Sequence, residues 1–263
     1  MKRSRGLLVL MFLSMAVGVV TASEDLMRAA AEIENRYQRQ FDQIEARQDQ
    51  ERIKLNSRLR DERAKVQRAA QASVAGAVAL MGDPAKLAQI QFDEAELSNR
   101  FENEWERAVT DRFDQERATL ERKKALESAK LAAQHLDAGE ETAKYRDLAL
   151  KGAEITERWQ EKLDALRFEE SAALASALRA GRTKENLAAK AMAEWLAQRL
   201  AKAQESGQIF NAMGDAAYLD LTAKRDDARN ATETEQETIR AKFEAQRREL
   251  ERARDEAMSA LMG

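Results

Sequence analysis

One proline, Pro84, stands in 263 residues, and this scarcity of helix breakers constrains the fold more than any other feature. Proline lacks a backbone donor and clashes with the turn before it, so a chain almost without it has little to interrupt a helix. The remaining composition favours one. Ala, Leu, Glu, Lys and Arg fill 152 of the 263 positions, beyond the roughly half that marks coiled coils and long helices. Val and Ile number only 11 after residue 22, too few to furnish the β-branched faces of a sheet. The sequence therefore predicts an all-α, elongated chain of antiparallel coiled-coil hairpins and helical bundle, with about five long helices.

With proline scarce, glycine and capping residues set the boundaries. Met81-Gly82-Asp83-Pro84 puts Gly at a helix C-terminus, Asp at the N-cap and Pro at the first position of the next helix. Asp137-Ala138-Gly139-Glu140 resembles a capping box, Gly181-Arg182-Thr183 pairs a glycine stop with a threonine cap, and Met213-Gly214-Asp215 repeats the first turn without its proline. The predicted helices are 24–81, 84–136, 140–180, 184–213 and 216–261. Gly76, Gly152 and Gly207 lie within them, where each could bend its helix. Residues 1–22 read as a signal peptide, 23–137 as a long antiparallel hairpin and 138–263 as a three-helix coiled-coil region.

Apolar spacing indicates how the helices associate. Tyr145, Leu148, Gly152, Ile155, Trp159, Leu163 and Leu166 alternate steps of three and four, a coiled-coil seam. Leu26, Ala30, Ile33, Tyr37, Phe41 and Ile44 do the same, before a polar stretch over 45–52 and resumption at Leu55 and Leu59. Phe101, Trp105, Val109 and Phe113 instead recur every four residues. That spacing drifts around an α-helix and should relax a left-handed supercoil. Trp105, Trp159 and Trp195 are expected in interhelical packing, because thin bundles need large side chains to bury area.

Lys2, Arg3 and Arg5 precede an uncharged run from Leu7 to Val20, and Val20-Thr21-Ala22 offers a signal-peptidase site, so cleavage is expected before Ser23. The run is short for a membrane span. A periplasmic or secreted chain without stable membrane insertion is the expectation, carrying 41 Lys plus Arg against 47 Asp plus Glu. That sign disfavours nucleic acid as a partner. Arg122-Lys123-Lys124 and Arg247-Arg248 are basic spots flanked by glutamates and read as solvated helix faces.

Chemistry is sparse. Cysteine is absent, and His135 is the single histidine, which reads as a surface residue near a helix C-terminus. The sequence has no Glu-x-x-His pair, Gly-rich phosphate loop or nucleophile elbow. Asn230-Ala231-Thr232 matches a glycosylation acceptor but falls within a predicted helix. No catalytic residue, cofactor or metal is expected, and no enzymatic activity. The expected function is that of a coiled-coil structural or adaptor protein of the bacterial cell envelope, acting by homo-oligomerisation and docking to protein partners. The alternatives are a periplasmic holdase and an accessory subunit of a pilus, conjugation or secretion apparatus. The uncharged hairpin end is the candidate protein-interaction tip, with Val74, Val78, Leu80 and Met81 its apolar residues.

Overall fold

The computed structural model describes residues 24–73, 84–134, 140–207 and 209–262. They are all-α. Helix α1 spans Glu24–Ser73 and α2 spans Pro84–Arg100. A π-helical turn, Phe101–Trp105, joins α2 to α3 (Glu106–Gln134). Helix α4 runs Glu140–Ser206, and a 3-10 turn at Ala212–Gly214 precedes α5 (Ala216–Met262).

These segments make four long rods where the sequence predicts five helices. The missing break is at Gly181-Arg182-Thr183, which lies inside the unbroken 67 residues of α4. Both signals are used otherwise. The Thr183 hydroxyl, instead of capping a helix, donates 2.9 Å to Glu96 on α2. Gly181 is buried because α5 presses on it: an added Cβ would sit 2.7 Å from the Thr232 Cβ and closer still to the Thr232 hydroxyl. The glycine permits close helix–helix approach here and stops nothing. The real end of α4 is Gly207, with φ 63° in the left-handed region that glycine adopts at little cost, so this rod stops at Ser206 and not at residue 213. Asp215 then caps α5, its carboxylate accepting the Ala217 N–H at 2.9 Å.

Packing joins rods that succeed one another in the chain. Helix α1 lies on α2 and α3, and α4 lies between α2–α3 on one side and α5 on the other. Each contact is antiparallel. Glu34 meets Lys124 at 2.6 Å and Arg47 meets Glu116 at 2.6 Å, with Arg58 over the Trp105 ring at 3.9 Å. Lys190 donates to Gln89 at 2.5 Å and Arg107 to Ser171 at 3.0 Å. Arg247 meets Glu170 at 2.7 Å, and Arg199 meets Asp215 at 3.5 Å. The result is a four-rod ribbon with α1 and α5 at its edges. At 1.5 Å per residue α4 is about 100 Å long.

The core follows the narrow stripes set by helical spacing. Tyr37 and Ile44 are buried on α1, Leu97 on α2, Trp105 in the π turn, and Phe113, 1% exposed, on α3. Leu166 and Met192 are buried on α4, and Phe243 on α5. Successive α-helical residues advance by 100°, so four-residue steps overshoot a turn. The π turn takes up an additional residue where the Phe101-Trp105 step requires it, keeping Trp105 and Phe113 in the core.

Candidate interaction surfaces

The tip residues Val74, Val78, Leu80 and Met81 lie outside the described residues, as do residues 1–23 and His135. The described ends that flank the tip, Ser73 and Pro84, stand at the same end of the ribbon as the α4–α5 connection. That connection carries the two most exposed large apolar side chains among the described residues, Ile209 and Met213. Trp195 is its anchor, its ring centroid 5.8 Å from those of both Phe210 and Tyr218. Arg199 lies 5.6 Å above the indole and links it to Asp215. The Asn211 side chain accepts the Met213 N–H at 3.1 Å, fixing the turn. Ile209, fully exposed, and Met213, 77% exposed, project from this aromatic base, with Leu200 and Leu219 about half exposed nearby.

A second concentration of chemistry lies at the π turn and is polar. Asn99 is 2% exposed. Its Nδ2 donates to the Arg179 carbonyl at 3.0 Å and to the Thr183 hydroxyl at 3.2 Å, while its Oδ1 accepts from Asn103 at 2.9 Å. Glu96 accepts from Thr183 at 2.9 Å and from Asn186 at 2.7 Å. Arg179 also meets Glu104 at 2.5 Å, and Arg182 pairs with Glu102. Buried amides need full partnering because an orphaned one costs about 1–3 kcal/mol. Here the partners of Asn99 come from α4 and from the π turn, so its amide is satisfied in one axial alignment. Buried asparagines fix register in coiled coils in the same way. No known protein family, curated protein or solved structure matches the chain.

Among the described residues, no three of the His, Cys, Asp and Glu side chains converge as a metal site, and no helix is long and apolar enough to cross a membrane. The altered acidities belong to ion pairs. Hydrogen bonds from Arg36 and from the Tyr37 hydroxyl, the latter 2.9 Å long, hold Glu127 below the usual carboxylate range. Burial, together with that bond, pushes the Tyr37 phenol up. The groove between α1 and α3, lined by Ile44, Arg47, Arg112 and Glu116, is open along the helices.

Two sequence readings change in this light. Arg122 is a nearly buried inter-rod tie to Asp164, and Lys124 ties α3 to α1 through Glu34. Arg247 likewise pairs with Glu170. Arg122, Lys124 and Arg247 are thus stitches between rods, whereas Arg248 pairs within its own helix, with Glu244, and Lys123 is exposed. Trp105 is a core residue, as its spacing predicts, and Trp159 and Trp195 are half-buried. Sequence reasoning missed the roles of Asn99, Gly181, Thr232 and Ile209. For the first three no local signal gives the role, which depends on the facing helix. Ile209 had one: it lies two residues beyond the glycine that ends α4.

Proposed function

We propose that the protein is a non-enzymatic structural or adaptor component of the bacterial cell envelope, periplasmic or secreted, working through reach, self-association and docking at its hairpin ends. One observation carries this reading. Among the described residues, Ile209 and Met213 are the most exposed large apolar side chains, above Ile53 at 69% on α1, and they stand on a turn braced by Trp195, Phe210 and Tyr218. Exposed apolar residues held on an aromatic cluster have the physical character of a docking site. The uncharged segment with Val74, Val78, Leu80 and Met81 connects helices that end beside it, and we assign it the same role.

The test is site-specific crosslinking in envelope preparations with two double variants, Ile209→Glu/Met213→Glu and Leu80→Glu/Met81→Glu. A defined crosslinked partner or oligomer of the parent chain, lost in at least one variant with helicity unchanged, is the expected result. Unaltered crosslinks in both would overturn docking at the hairpin ends. Suppression of aggregation of several unrelated denatured proteins by the parent chain would instead favour a holdase.

A further inference from the structure

The two edges of the ribbon carry opposite charge at the same height. Helices α1 and α5 each bury one stripe and leave the opposite face to solvent, and they do not pack on each other. Between Lys54 and Arg68, α1 carries six cations and two carboxylates; between Asp226 and Glu237, α5 carries five carboxylates and one cation. Contacts across the intervening rods fix their relative height. Arg58 stacks on Trp105, whose neighbour Glu104 pairs with Arg179, and Gly181 two residues on is pressed against Thr232. Arg60 is thus level with Glu233, and because the two helices run oppositely, Arg68 falls beside Arg225 and Asp226, which pair with each other.

Local pairing takes up part of this charge: Lys54, Lys65, Asp226 and Glu233 have partners on their own helices, and Arg58 lies over Trp105. Among the described residues, Arg60 and Arg63 on α1 and Asp227, Glu235 and Glu237 on α5 have no ion-pair partner.

Resting on the self-association in the function proposed above, we infer that copies of this chain associate side by side, the basic outer face of α1 in one copy against the acidic outer face of α5 in the next. With an even number of rods, a neighbour in the same orientation sets α5 antiparallel to the incoming α1. That continues the order of every contact within the chain. The two helices are 50 and 47 residues long, so neither overhangs far. The joint is heterologous, and its repetition gives a ring if the rotation closes and an open row if it does not. Contacts of this kind are set by charge complementarity and are sensitive to salt.

The test is sedimentation of the full chain at about 20 mM and about 500 mM salt, where the Debye length falls from roughly 20 Å to about 4 Å. We expect multiples of the 29.7 kDa chain at low salt, with association at least tenfold weaker at high salt. Arg60→Glu/Arg63→Glu/Arg68→Glu should abolish low-salt assembly, and so should Asp227→Lys/Glu233→Lys/Glu237→Lys. Mixing the two variants should restore it, because each reversed edge then meets its complement. A parent chain that is monomeric at low salt overturns the proposal, as does assembly that survives either reversal. Loss in both variants without rescue on mixing, helicity being intact, also overturns it. None of these results bears on the hairpin-end substitutions, which test the docking reading separately.

Discussion

Gly181 reverses a familiar substitution rule. In an exposed helix interior, Gly→Ala adds about 1 kcal/mol of stability. Here the new methyl would fall within 3 Å of three Thr232 atoms, and Thr232 is itself buried, with its hydroxyl donating to the Ala228 carbonyl at 2.7 Å. Gly181→Ala should therefore destabilise by about 1–3 kcal/mol, the range for overpacking, seen as a lower urea midpoint. An unchanged or raised midpoint would refute the close approach of α4 and α5. Asn99→Ala should lower stability by a similar ~1–3 kcal/mol, since it leaves buried partners unsatisfied. Glu127 gives a pH test. Its folded pKa lies below the ordinary 4.5, first through Arg36 and then through Tyr37. Its contribution is thus present above that pH and is lost as pH falls through the depressed folded value. Glu127→Gln should flatten the acid limb of the stability curve slightly, because the pair is partly exposed. Chemical denaturation between pH 3 and pH 7 would measure it.

At the scale of elements, the class and most boundaries were legible because helix propensity and apolar period are local properties. Pro84 begins α2 and Asp215 caps α5 as their neighbours in sequence suggest. What failed was the use of glycine and threonine as a stop at residues 181–183, since whether a glycine ends a helix or admits a neighbour depends on residues some 50 positions away. The candidate site divides similarly. Apolar hairpin ends are visible in the sequence, whereas the Asn99 network needs α2 and α4 brought into register. The four-residue steps after Phe101 predict a drift around the helix that relaxes the supercoil, and the structure instead takes up that drift in a π turn. A π turn amounts to one extra residue in an α-helix. Deleting Glu102 should accordingly leave α2 and α3 in phase and cost less than about 1 kcal/mol. Deleting Glu116 instead rotates the remainder of α3 by 100° and moves apolar side chains off their stripe, costing more than about 3 kcal/mol. Equal losses in thermal denaturation would contradict the role given to the π turn.

For the whole molecule, the ribbon implies a particle far longer than wide. Small-angle scattering at high salt should give a maximum dimension of about 100 Å or more, set by the 67 residues of α4. A value near the ~30 Å of a small compact domain would exclude the four-rod array. The described ends Glu24 and Met262 both lie at the base, away from the hairpin ends, and they belong to the two edge helices. Tension applied between them would open the array like a zipper, one row of contacts at a time, and never load all rows in shear. Such a body is stiff against bending and yields gradually to pulling, with α4, gripped on both flanks, the last rod to come free.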